Sequence, residues 1–230
     1  MSATPPTLPI DPPRGWFQRL IQKLFFLLVV RPLMALFIGL RVRKRRRLPD
    51  PIAGPCIIVA NHQSHFDTVS LLALYPLGRL KYVRPAAAAD YWAANRFIEA
   101  FARACINILP IERVKEGRKT DPIDAMVAAL DRGQSLILFP EGTRSADGAP
   151  GHFKPGVAIL LERRPGTPVV PIWLQNLGRI LPKGEFIPVP VFCEIRVGRP
   201  LHPSGNRQEI LAEIEAAVHH LGGSHPVMPS

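Results

Sequence analysis

From about residue 51 onward, short β-branched apolar runs alternate with helical stretches, and this alternation constrains the fold more than any other feature of the chain. Parallel strands cannot be joined by a tight turn and need a crossover, usually a helix, so the pattern implies an α/β domain. The expected architecture is a largely parallel central sheet flanked by helices. Residues 56–60, 80–84, 106–111, 136–139, 169–174 and 191–197 read as strands. Residues 68–75, 91–104, 122–132, 156–162 and 207–221 read as helices, the third of these opened by Asp121 and Pro122. There are no internal repeats. In such sheets ligands bind beyond the carboxyl ends of the strands, so chemistry is expected where each strand ends.

The N-terminal segment breaks this pattern. Residues 1–13 carry five prolines and read as an extended lead-in. Trp16, Phe17 and Leu20 follow, then an apolar run at 24–30, the break Arg31-Pro32, a second apolar run at 33–40 and a basic heptapeptide at 41–47. As a helix, residues 24–40 would reach about 25 Å at about 1.5 Å per residue, short of a bilayer core of about 30 Å. A spanning helix and a signal peptide both fit poorly. An interfacial helix, or a kinked pair of short helices dipping into one leaflet, fits better, with the basic block at anionic headgroups. The alternative is that 16–40 are core helices of the globular body.

Charge supports the division. The chain carries a net charge of +11, yet residues 1–50 hold ten Lys/Arg against two Asp and the rest is nearly balanced. A basic stretch without an aromatic platform or a recognition helix does not make a nucleic-acid-binding protein. Three widely spaced cysteines, Cys56, Cys105 and Cys193, match neither a metal-ligand spacing nor a disulfide framework, and read as buried thiols of a cytosolic protein. The expected domains are a lead-in at 1–13, a membrane-associated helical segment at 14–47, a catalytic-type α/β domain at 48–223 and a tail at 224–230.

Two polar clusters sit at strand exits. Asn61-His62-Gln63-Ser64-His65-Phe66-Asp67 follows the first strand. Five residues apart on one helix would point His62 and Asp67 away from each other, so they meet only if a turn separates them and Asp67 opens the next helix. A carboxylate there would fix the imidazole tautomer and leave the other ring nitrogen as a general base; a helix cap beside a surface histidine is equally compatible. His65 reads as a helix-start residue. Phe139-Pro140-Glu141-Gly142-Thr143-Arg144-Ser145 leaves another strand, and its glycine suits a tight turn that presents N–H groups and a guanidinium to an anion. Arg113 lies just past a third strand, and Val170-Pro171-Ile172 forms a fourth block.

In order and spacing these four blocks resemble the glycerolipid acyltransferases typified by 1-acyl-sn-glycerol-3-phosphate acyltransferase, over roughly residues 50–200. The resemblance implies that His62 is the general base toward an acceptor hydroxyl attacking an acyl thioester and that Asp67 orients it. Asn61, Glu141, Gly142 and Thr143 would then hold the acceptor, with Arg113 and Arg144 on its phosphate. N–H groups near Gly142 or Asn61 are expected to face the oxyanion. No cofactor or metal is required. The implied partners are a lysophospholipid acceptor, an acyl-CoA or acyl carrier protein donor and an anionic membrane surface, with no nucleic acid; the implied location is the cytoplasmic face of the inner or plasma membrane.

Two departures stand beside the match. Where relatives often carry a Lys–Glu pair, this chain reads Tyr82-Val83-Arg84-Pro85 followed by alanines, leaving Arg84 as the cation in that region. A basic loop at 181–184 offers a further contact to a headgroup. Another lysolipid, a lyso-aminolipid or a glycolipid as acceptor, or a non-catalytic lipid-binding module, are the alternatives.

Overall fold

A computed structural model describes residues 15–64, 66–88, 96–111, 121–143, 151–177 and 191–223. It opens on helix α1 (Trp16–Phe25), which passes through a π turn at Phe26–Val30 into α2 (Arg31–Phe37). Pro32 has no N–H, and its ring crowds the carbonyl four residues back; the wider π turn just before it absorbs that conflict without breaking the helix. Phe26, Val30 and Met34, four residues apart, form the buried stripe of this unit.

The chain then enters strand β1 (Ile38–Arg43) rather than continuing as helix. Strands β2 (Ile57–Ala60), β3 (Val83–Ala88), β4 (Leu109–Ile111), β5 (Ser135–Leu138), β6 (Val169–Gln175) and β7 (Val191–Val197) complete one sheet in the order β1-β7-β6-β2-β5-β3-β4. Only the β6–β7 pair is antiparallel among these. The helices are α3 (Phe66–Ala73), α4 (Arg96–Phe101), α5 (Pro122–Asp131), α6 (Gly156–Arg163) and α7 (Arg207–Gly222). Asp121 caps α5 by accepting from Ile123 N–H, and Asn206 with Glu209 closes a capping box on α7.

Period-two alternation along β2 divides the core. Ile58 and Ala60 face Phe26, Val30, Leu71 and Leu72, so α3 and the α1–α2 unit cover one side. Ile57 and Val59 face Met126, Leu130, Leu160 and Ile214, so α5, α6 and α7 cover the other. The expected α/β class and mostly parallel sheet are what the structure shows.

Three expectations from sequence need correction. Residues 38–43, read as the end of a helix and the start of the basic block, form a strand that pairs with β7 in register Ile38↔Val191 to Arg43↔Arg196. Leu40 and Val42 turn to the core while Arg41 and Arg43 line the outer face, where Arg43 meets Glu194. Residues 80–82 form a 3-10 turn, and the strand starts only at Val83. Arg84 is not a cation offered to ligand: it is buried, and its guanidinium donates to the carbonyls of Asn107 (3.4 Å) and Ile108 (2.9 Å), acceptors left open where the chain enters β4. The loop at 181–184 lies outside the described residues.

Candidate active site

The site forms where β2 and β5, paired side by side at the centre of the sheet, release the chain. After β2, residues 61–64 turn before α3 starts, so Asp67 falls in the first helical turn, where a carboxylate is favoured by the exposed N–H groups. Its Oδ2 accepts from Gln63 N–H (2.6 Å), Ser64 N–H (2.8 Å) and His62 Nδ1 (2.9 Å). With Nδ1 donating to the carboxylate, the neutral ring is held in the tautomer that leaves the Nε2 lone pair free. The turn that the five-residue spacing required is present, and the His62 ring touches Asp67 across it.

Burial makes the arrangement rigid. Asp67 is fully buried, and His62 retains 21% side-chain exposure, enough for a substrate to reach the ring edge. The imidazole stacks on Phe139 at 4.3 Å between centroids and 22° between planes. Phe139 is the first residue beyond β5, so two neighbouring strands fix one ring. The Cys193 thiol on β7 is pushed up to about 11 by burial and by the charge of Asp67. All three cysteines are free and buried.

The second cluster folds back on the first. Gly142, at φ +70, donates its N–H to Phe139 carbonyl (3.0 Å) and closes the turn. The Glu141 side chain points inward from this turn, and the residue is 6% exposed. Oε1 accepts from His62 N–H at 3.2 Å. Burial raises the Glu141 carboxyl above its ordinary value, opposed by the N–H groups of His62 and Gly151.

The expected acceptor-binding residues therefore divide. Asn61 is buried and its amide is spent on β6, donating to Leu174 carbonyl (2.9 Å) and accepting from Leu174 N–H (2.7 Å). Glu141 likewise faces protein. Gly142 and Thr143 are exposed at the turn. His65, Arg113 and Arg144 lie outside the described residues. The N–H groups of His62, Gln63, Ser64 and Gly142 all have protein acceptors. Among the described residues no three His, Cys, Asp or Glu are grouped to hold a metal ion. One charged neighbour has no signal in the sequence: Lys154, whose ammonium lies over Gly142. Nothing in a twelve-residue separation announces that contact.

A buried Asp67, a partly exposed imidazole and an adjoining tight turn thus meet where two central strands of a mostly parallel sheet end. Residues 39–175 match the family described as Acyltransferase, and the chain belongs to that family of acyl-transferring enzymes. It is 30% identical over 213 residues to the chloroplastic 1-acyl-sn-glycerol-3-phosphate acyltransferase of Arabidopsis thaliana, covering 90% of this chain and 54% of that one. A 1-acyl-sn-glycerol-3-phosphate acyltransferase of Pseudomonas aeruginosa is 26% identical over 176 residues, 75% of this chain and 63% of the other. The chain spans about half the length of the plant relatives it matches. The crystal structure of the 1-acyl-sn-glycerophosphate acyltransferase from Thermotoga maritima shares the fold, with a TM-score of 0.67 at 22% identity, over 90% of this chain and 78% of that one.

Proposed function

We propose that the protein transfers a fatty acyl group from a thioester of coenzyme A or acyl carrier protein to the sn-2 hydroxyl of 1-acyl-sn-glycerol-3-phosphate, giving phosphatidic acid. The observation that carries this reading is the 2.9 Å contact between His62 Nδ1 and Asp67 Oδ2, which orients the neutral imidazole with Nε2 as its proton acceptor. Nε2 takes the hydroxyl proton as the oxygen attacks the thioester carbonyl. The tetrahedral intermediate then collapses with cleavage of the C–S bond, and the imidazolium returns its proton to the departing sulfur. Asp67 stabilises the imidazolium between these steps, and a positioned base of this kind contributes about 10²–10⁴ in rate. Gly142 and Thr143 border the acceptor, with Arg113 and Arg144 as cations for its phosphate.

The bilayer supplies the acceptor. No described helix is long and apolar enough to cross a membrane. The α1–α2 unit instead exposes Trp16, Phe17, Leu20, Leu24, Leu28 and Leu36 opposite its buried stripe, with Arg19 and Lys23 exposed beside them. Such a surface lies in the headgroup region of an anionic leaflet, on the cytoplasmic side where thioester donors are available. Mass spectrometry of products from a panel of lysolipids offered with each donor tests the assignment. Phosphatidic acid is the product expected, and product from a different lysolipid alone would overturn the choice of acceptor.

A further inference from the structure

We infer that Lys154 is a specificity residue for the acceptor's anionic group, a role that rests on the acyltransfer reading above. The backbone holds Lys154 in place independently of its side chain. Its N–H donates to Pro140 carbonyl at 2.9 Å, which ties it to the turn that contains Glu141 and Gly142. The preceding Phe153 is buried in the core and donates its N–H to Glu215 on α7, and the following Pro155 opens α6. The lysine stem thus leaves a fixed point beside the site.

From there the side chain lies across Gly142. A β-carbon added at Gly142 would stand 2.5 Å from Lys154 Nζ and 3.0 Å from its Cδ and Cε, so the missing side chain is the space that the lysine occupies. Gly142 is one of the two residues that border the acceptor, and it is exposed. Among the described residues no carboxylate is paired with Lys154, and the side chain is exposed, so its ammonium is available to a ligand.

Two other features favour an anion. Arg84, the cation that the sequence offers and the fold places on β3, is consumed by backbone carbonyls. The carboxylate next to Gly142 is turned inward onto two N–H groups, so it does not neutralise the ammonium from within the turn. A lysine ammonium is a compact point charge with three donors, suited to a monoester phosphate that presents several oxygens.

The test compares the native protein with Lys154→Met and Lys154→Arg on two acceptors of equal chain length, 1-acyl-glycerol-3-phosphate and uncharged 1-monoacylglycerol. Loss of a charge-assisted hydrogen bond is expected to raise KM for the phosphate acceptor about 10- to 100-fold in the Met variant, with kcat largely kept. Lys154→Arg is expected to restore most of the loss, and the ratio of activities on the two acceptors should move toward the neutral one. An unchanged KM, or an equal fall in kcat on both acceptors, would overturn the assignment. Equilibrium binding of both lipids to His62→Ala with and without Lys154→Met reads the same preference without turnover. A native protein that turns over neither lipid would contradict the acyltransfer reading, whereas phosphate-selective binding that ignores Lys154→Met would contradict this inference alone.

Discussion

The backbone N–H of His62 donates to Oε1 of Glu141, 3.2 Å away and 79 residues along the chain. The residue expected to take the proton and the turn expected to border the acceptor are therefore one mechanical unit. Glu141→Ala leaves the N–H groups of His62 and Gly151 without their acceptor, at a cost of about 1–3 kcal/mol for each buried group that finds no water. The expected result is a lower Tm together with a loss of kcat, because the imidazole backbone is no longer held. Native Tm and kcat in this variant would show that the contact is idle.

The same carboxyl has a pH signature. Burial, the largest influence, raises Glu141, so the folded protein holds that proton to higher pH than the unfolded chain. Stability from this group is then complete below the ordinary value of 4.5 and declines as the pH rises through the raised value. Glu141→Gln does not titrate. As the pH rises above 4.5 the Tm of the native protein should fall relative to the Gln variant. A relative rise would mean that the two N–H donors outweigh burial.

Asp67 allows charge to be separated from geometry. Oδ2 takes all three hydrogen bonds, while Oδ1 is buried with no partner among the described residues. In Asp67→Asn the amide oxygen can keep the Oδ2 position and the NH₂ can replace Oδ1, so the tautomer and the turn survive. The expected outcome is a folded protein with kcat reduced about 10²–10⁴-fold, from loss of imidazolium stabilisation. Circular dichroism and turnover together check it, and near-native turnover would leave Asp67 as a helix cap only.

How much of this was legible in the sequence depended on local signals. Strand β7 and helix α5 announced themselves by apolar period and by the Asp121-Pro122 start, and the His62–Asp67 spacing correctly required a turn. Strand β1 did not, because the alternation Leu40-Arg41-Val42-Arg43 was masked by the density of charge around it, and its partner β7 is about 150 residues away in sequence. Composition cannot reveal that Arg84 serves carbonyls or that Asn61 replaces a strand pairing, since both depend on what the sheet brings alongside. The inward Glu141 likewise depends on the His62 N–H that it meets 79 residues away, which a motif does not display.

The outer face of α1 and α2 gives a membrane prediction that folding does not confound. Trp16 is 76% exposed and Leu28 66%, whereas Phe26 is fully buried. Trp16→Ser with Leu28→Ser should leave Tm nearly unchanged and weaken sedimentation with vesicles containing anionic phospholipid. Phe26→Ser should lower stability, since burying such a side chain is worth about 1.5–3 kcal/mol. Unaltered sedimentation of the double variant would remove this face as the membrane contact.

The most direct test of the central claim is turnover by His62→Ala, measured by mass spectrometry of phosphatidic acid formed from 1-acyl-glycerol-3-phosphate and an acyl thioester. The native protein is expected to form product. The variant should bind the lysolipid with native affinity yet lose about 10²–10⁴-fold or more in kcat. Turnover within about tenfold of native, with the fold intact, would contradict His62 as the base that removes the hydroxyl proton.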